Sequence, residues 1–324
     1  MASEERPLAI AAYKRGELRQ AADLCESGID HAQAQRNHEE SWHLRILLSQ
    51  CLCFLGDFAK SLAVFEATPI TEDVSLETRA RVLNQKAFGL SRSGNFAGAK
   101  EALSAAVNLA INASSPALIA EIEINRSTLF FYLCKYDEVE ACARIALEIG
   151  ESQKFPMVEA SACASMGKSH MYRERQAEAI PWFERALTIY EREGVSFYAD
   201  IMRSELGCCH FALHQDDKAF DYFTHALRVS RESGALASLH IDLANMGCLH
   251  LRRGEFAAAI SHFQEALQVA RKLGDEISVS KWLRNLSIAY SQMGNPALSA
   301  GFQKQAGDVA KSVELARARA ATQP

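Results

Sequence analysis

The chain has no run of about eighteen consecutive apolar residues, the least a helix needs to cross a bilayer. Its start, MASEERPLAIAAYKRG, lacks the charged-then-apolar order of a secretory signal, so no membrane contact is expected and the cytoplasm is the expected compartment. Nine cysteines form no CxxC pair. An odd count without a signal argues against a disulfide framework and for reduced thiols packed as small apolar residues. The formal net charge of −5 supplies no basic field for nucleic acid. No phosphate-cradling glycine loop, zinc-protease motif or nucleophile elbow is present, and no spacing gathers Asp, His and Ser into a reacting site. The expectation is a chain that is not an enzyme and holds no cofactor or metal.

What is present is apolar content and repetition. Hydrophobic residues make up 48% and charged residues 23% of 324 positions, enough to bury a core and too apolar for a disordered segment. That length suggests two or three domains, a rule that repeat arrays break. Residues 251 to 275, LRRGEFAAAISHFQEALQVARKLGD, follow FALHQDDKAFDYFTHALRVSRESG and MYRERQAEAIPWFERALTIYEREG at steps of forty. From Gly254 the step reaches Gly294 in one direction and His214, Glu174, Cys134 and Gly94 in the other. One step of thirty-eight leads to Gly56 and one of forty to Gly16. The short step contains EATPITED, where Pro69 is expected to truncate a helix. Turns are therefore predicted near 16, 56, 94, 134, 174, 214, 254 and 294, within a single array over 1–324.

Each unit has two apolar-periodic segments around its turn, both near 3.6 residues per repeat. Ala259, Ile260, Phe263, Ala266 and Leu267 share one helix face, matched by Ala219, Phe220, Phe223, Ala226 and Leu227 and by Ala179, Ile180, Phe183, Ala186 and Leu187. Before the turn, Leu243, Met246, Gly247 and His250 correspond to Leu283, Leu286, Ser287 and Tyr290. Gly167, Gly207 and Gly247 fall inside this first helix, where glycine costs about 1 kcal/mol relative to alanine, so each is expected to admit a close neighbour. Gly194, Gly234 and Gly274 suit left-handed positions just past a helix end. Asn295-Pro296 and Ser115-Pro116 read as N-cap and first-turn pairs, and Pro181 lies near the start of a second helix. Trp42, Trp182 and Trp282 are not equivalent and are expected to pack locally.

The stretch NMGCLHLRRGEFAAAISHFQEAL resembles the tetratricopeptide repeat in its Leu, Gly, aromatic, Ala, Phe and Ala offsets. The likeness covers about the whole chain as eight units, the first with a short leading helix. The forty-residue period is similar to the long-helix variety of kinesin light chains, bacterial peptide-sensing regulators and arrays beside catalytic modules. The resemblance implies an all-α, right-handed superhelix of about eight antiparallel helix pairs, with first helices lining a concave groove. In peptide-binding members, asparagine two residues before the interior glycine faces that groove and bonds a ligand backbone. Asn125, Asn245 and Asn285 match it, with Gln85 before them in the ladder, whereas Ser165 and Glu205 depart from it. Lys281, Arg284 and Asn285 lie on one helix face and, with Arg81, Asn84 and Lys168, could meet a carboxylate or an acidic peptide. Solvated helix polarity explains the same residues equally well. The Lys and Asn set of the chaperone-tail clamp is absent.

His170, His210 and His250 stand forty apart, but residues one repeat apart lie about 10 Å from each other, too far for one zinc ion. They occupy the ring position held by Tyr290 and read as core histidines. Lys86 and Arg126 replace core residues at the Met166 and Met246 position, and Glu140 replaces an aliphatic one, so Arg126 is expected to pair with Glu140. The leading function is a non-catalytic scaffold that binds an extended or helical protein segment. The alternative is a regulatory sensor that controls a fused or partner protease, cyclase or transcription factor, in a chain that could be a fragment of a larger protein.

Overall fold

Two apolar stripes per unit give two helices per unit. The computed structural model describes residues 5–66 and 69–322, with 316–322 as backbone only. Among the described residues there are sixteen helices and no strand, in two compact units, residues 1–209 and 210–324. The first unit holds α1 (Glu5–Arg15), α2 (Leu18–Ala34), α3 (His38–Leu55), α4 (Phe58–Ala63), α5 (Leu76–Arg92), α6 (Phe96–Asn112), α7 (Pro116–Tyr132), α8 (Tyr136–Ser152), α9 (Pro156–Tyr172) and α10 (Gln176–Arg192). Helix α11 (Ser196–Ala212) carries the division near its end, and the second unit continues with α12 (Asp216–Ser233), α13 (Leu236–Arg252), α14 (Phe256–Leu273), α15 (Glu276–Gln292) and α16 (Pro296–Thr322). Consecutive helices pack as pairs, the architecture of an all-α solenoid.

The turns share one backbone solution. After α13, Glu255 N–H donates to His250 O at 2.9 Å and Gly254 N–H to Leu251 O at 3.1 Å, with φ of 78° at Gly254. This pair of bonds satisfies the last helix carbonyls and requires a left-handed residue. The same bonds recur after α5 at Gly94 and after α15 at Gly294. Cys134, Glu174 and His214 take the conformation without being glycine, at φ of 57°, 61° and 59°. Cys134 is accordingly an exposed turn residue, not the small core residue expected of every cysteine. Between pairs, Gly194, Gly234 and Gly274 are left-handed as expected, at 68°, 67° and 67°.

The interior glycines admit a ring. A Cβ on Gly167 would stand 2.7 Å from the Phe183 ring, and one on Gly247 would stand 2.6 Å from that of Phe263. Both phenylalanines are fully buried, so first and second helices interlock through Phe on Gly. The helix before Pro69 is short, ending at Ala63. Pro181 lies in the second turn of α10, near the helix start, and Asn295 accepts from Leu298 N–H while Ser115 makes no capping bond. Trp42 is buried, with the Arg45 guanidinium 5.5 Å over its ring, and Trp282 Nε1 donates to His240 Nδ1 at 3.3 Å.

The expected Arg126–Glu140 pair is absent. Arg126 instead reaches Glu123 on its own helix at 2.6 Å, and Glu140 accepts from Ser169 at 3.0 Å and faces Arg173 at 3.4 Å. An i,i+3 partner costs less ordering than one on another helix, and Arg173 already holds the site that Arg126 would need. Gly247→Ala is expected to lower stability by about 1–3 kcal/mol through its clash with Phe263, whereas Cys134→Gly gains about 1 kcal/mol by relieving a left-handed side-chain residue. Urea midpoints followed by circular dichroism distinguish the two signs, and an unchanged midpoint for Gly247→Ala contradicts the interlock.

Candidate functional site

The odd-numbered helices touch one another directly, α1 with α3, α3 with α5, α5 with α7 and α7 with α9 in the first unit, and α13 with α15 in the second. Within each unit they form an inner layer that carries the polar ladder. In the first unit this ladder is spent on itself. Asn125 Nδ2 donates to Asn84 Oδ1 at 2.9 Å and to Asn84 O at 3.3 Å. Ser165 and Ser127 hydroxyls lie 2.9 Å apart, and Lys168 Nζ stands 3.3 Å from Glu205. Arg81 is held between Glu121 at 2.5 Å and Glu77 at 2.9 Å. The amides and cations expected to receive a ligand therefore stitch neighbouring helices, each bond contributing about 1 kcal/mol.

The second unit differs. Asn285 Nδ2 finds only Cys248 Sγ, at 3.7 Å, and Asn245 Nδ2 is buried without a hydrogen-bond partner. Lys281 and Arg284 are exposed and make no ion pair among the described residues. Of the eight expected positions, Asn245, Lys281 and Arg284 keep their polar groups free of strong partners.

Two features of the first unit escaped the repeat pattern. Tyr13 on α1 meets Tyr198 on α11 with hydroxyls 2.7 Å apart, Gln50 Nε2 donates to the Tyr198 hydroxyl at 3.0 Å, and Ser196 Oγ donates to Lys14 O at 3.1 Å. Phe54 and Phe197 pack edge to face beside them, at 4.8 Å. The knot closes the inner layer of that unit between helices separated by most of its sequence. Next to it lies a cavity of about 500 Å³ between α1, α3 and α5, with Ile10, Ile46 and Leu47 as apolar wall and Glu39, His43 and Gln50 along α3. Burial works against the Glu39 charge. Hydrogen bonds from the Thr78 hydroxyl, the Ser75 hydroxyl and Ser75 N–H outweigh it and hold the carboxyl below its ordinary pKa. Burial, then the Arg6 charge, push His43 below its ordinary value, so its ring is neutral at pH 7. No single letter in the sequence marks either feature, because each depends on which distant helices meet.

Three of the four forty-spaced rings are stacking partners. His210 lies flat on Tyr222 at 5.6 Å, His250 on His262 at 5.2 Å, and Tyr290 on Phe302 at 5.4 Å. His210 Nδ1 bonds Gln215 Oε1 at 2.6 Å, His250 bonds Glu255, and His170 Nδ1 stands 3.4 Å from Glu178. No group of three His, Cys, Asp or Glu residues is placed to hold a metal among the described residues, and no described helix is long and apolar enough to cross a membrane.

A family model described as tetratricopeptide repeat matches residues 160–232 and 236–312. Over these residues the chain carries tetratricopeptide repeats. The matched TPR residues include ladder positions Ser165, Glu205, Asn245 and Asn285. Among solved structures, a Rap protein complexed with competence and sporulation factor is similar at 12% identity and a TM-score of 0.66, over 96% of this chain and 97% of that one. Aspartyl phosphate phosphatase F from Bacillus subtilis is similar at 13% identity and a TM-score of 0.59, over 89% and 75%. A signal transduction ATPase with a tetratricopeptide repeat sensor, from Pyrococcus horikoshii, is similar at 16% and 0.54, over 90% of this chain and 47% of that one. Likeness at such identities establishes the TPR fold alone. No curated protein matches the chain in sequence.

The stacked His250–His262 pair carries a pH prediction. Burial, then the neighbouring His250, depress His262 below its ordinary value, while Glu265 opposes the shift. The unfolded chain then binds the proton more readily, so stability is complete above about pH 6.5 and falls as acid is added below it. His262→Phe, which copies the Tyr290–Phe302 pair, is expected to lose less stability between pH 7 and pH 5.5 than the parent. Parallel urea titrations at the two pH values measure this difference, and equal losses contradict it.

Proposed function

We propose that this protein is a non-catalytic, cytoplasmic scaffold that holds an extended or helical segment of a protein partner on the inner helix layer of its second unit. One observation carries the reading. Arg81 and Lys168 are already matched by carboxylates, whereas Lys281 and Arg284 project from α15 with none, beside a helix whose Asn245 amide nitrogen lacks a partner. Such a face is complementary to an acidic segment, which supplies carboxylates to the cations and a backbone carbonyl to the amide. The TPR fold supports a scaffold, and the complex of the similar Rap protein with competence and sporulation factor supports a bound partner. Arg81, Asn84, Asn125 and Lys168 then act as framework within the first unit, and Asn285 lies on α15 beside the binding residues of the second.

A sensor reading, in which a ligand controls an attached or partner protease, cyclase or transcription factor, is favoured by a different observation. The Tyr13–Gln50–Tyr198 knot joins helices far apart in sequence through a few hydrogen bonds and ring contacts, a joint whose opening would be read at both ends of the unit. The scaffold reading is tested by affinity purification with mass spectrometry on the full chain. Replacing Asn245, Lys281 and Arg284 by alanine together is expected to reduce partner recovery at least about tenfold, with an unchanged helical spectrum, because Lys281 and Arg284 are exposed and the buried Asn245 amide nitrogen makes no hydrogen bond to lose. Recovery equal to that of the parent removes this assignment.

A further inference from the structure

The cavity between α1, α3 and α5 has a charge balance opposite to that of the α15 face. Arg6 is met by Glu40 at 2.6 Å, and Arg81 by both Glu77 and Glu121. Glu39 is left over. Its ion-pair neighbour is His43, 3.7 Å away and itself pushed toward the neutral form by burial, so the carboxylate is stabilised first by the Thr78 and Ser75 donors and only last by the imidazole. Glu39 Oε2 accepts one bond, from Ser75 N–H, which leaves acceptor capacity toward the cavity. The two guanidiniums near the rim are already outnumbered by carboxylates, so the site as a whole favours positive charge.

The cavity also has a direction. Glu39, His43, Ile46, Leu47 and Gln50 follow one face of α3, and at 1.5 Å per residue Glu39 and Gln50 are about 16 Å apart. The charged end is thus separated from Gln50 by an apolar wall completed by Ile10. Gln50 gives its Nε2 to Tyr198, leaving its carbonyl oxygen to accept. A lysine side chain is too short to use both ends. A volume of about 500 Å³ is that of a small-ligand site.

We propose that this cavity binds the free amino terminus of a peptide with apolar first residues, the ammonium on Glu39, the side chains against Ile10, Ile46 and Leu47, and a backbone N–H on Gln50. The inference goes beyond the scaffold reading, since it concerns another unit, another ligand and the opposite charge. It also gives the knot a role: Gln50 belongs to both, so a peptide in the cavity bears on the hydrogen bond to Tyr198.

The test is isothermal titration calorimetry on the full chain with three probes: Leu-Leu-Ala amide, its Nα-acetylated form, and Nα-acetyl-Lys-Leu-Ala amide. The free amine is expected to bind at least about tenfold more tightly than the acetylated peptide, a difference of about 1.4 kcal/mol. Glu39→Gln, which keeps an acceptor for Ser75, is expected to remove that preference. Ile10→Trp, at an exposed position on α1, is expected to abolish binding by filling the cavity without touching Glu39. Replacing Lys281 and Arg284 by alanine is expected to leave this binding unchanged, which separates the site from the one on α15. Equal binding of free and acetylated peptides, preference for the lysine probe, or no binding of any probe overturns the proposal.

Discussion

The contact on which the repeats depend is a phenylalanine ring seated where a side chain is missing. At Gly167 and Gly247 even a methyl group would fall within 3 Å of the ring from the following helix. The first helix therefore accepts the roughly 1 kcal/mol that an interior glycine costs, and gains a fully buried aromatic and a fixed helix separation. Once that separation is set, the turn has little freedom. It must reverse the chain within a few residues, which is why a left-handed residue with the same two carbonyl-satisfying bonds recurs even where the letter is Cys, Glu or His. The flat stacks of His210 on Tyr222 and His250 on His262 follow from the same geometry, because both helices reach the turn at a constant distance.

A fixed core transfers variation to the polar groups between repeats. In the first unit these groups have been settled internally: Asn84 with Asn125, Ser127 with Ser165, Lys168 with Glu205. Each bond joins positions about one repeat apart, so an array of this kind gains part of its cohesion from the surface that would otherwise serve a ligand. The charged replacements in the core layer obey the same economy. Arg126 stays half-exposed and reaches down to the buried Glu123, and Glu140 is enclosed by Ser169 and Arg173, so neither breaks the stacking of the apolar faces around it.

The sequence displayed whatever repeats. Phe263, Ala259 and Ala266 could be placed on an interior face from spacing, Gly194, Gly234 and Gly274 could be read as left-handed, and the equivalence of His250 with Tyr290 pointed to a ring site before any ring partner was visible. What could not be read was anything set by a single meeting of helices. Tyr13 and Tyr198 are in contact across 185 positions, and no periodicity relates them. Arg126 was assigned to Glu140 because both broke the pattern in one repeat, yet two departures from a pattern need not face each other. Glu39 was invisible for a similar reason: its importance comes from Ser75 and Thr78 on the next pair, beyond the one irregular step in the array. Cys134 was misread because a turn that usually takes glycine imposes its conformation on whatever residue stands there.

The distinction between paired and unpaired charges also decides where selectivity can reside. A half-buried pair such as Lys168 with Glu205 contributes about 1 kcal/mol, and a ligand carboxylate that replaced Glu205 would gain only what the protein lost. Exchange of that kind is nearly neutral and discriminates poorly between partners. A cation with no carboxylate among the described residues, as at Lys281 and Arg284, or a carboxylate whose one basic neighbour is a histidine driven toward neutrality, as at Glu39, has little internal competition, so most of its interaction is available to a ligand of the right sign. It also repels the wrong sign, which adds discrimination that attraction alone does not provide. Repeats with nearly identical cores can in this way recognise chemically opposite groups, with the choice made by which few side chains are left without a neighbour to neutralise them.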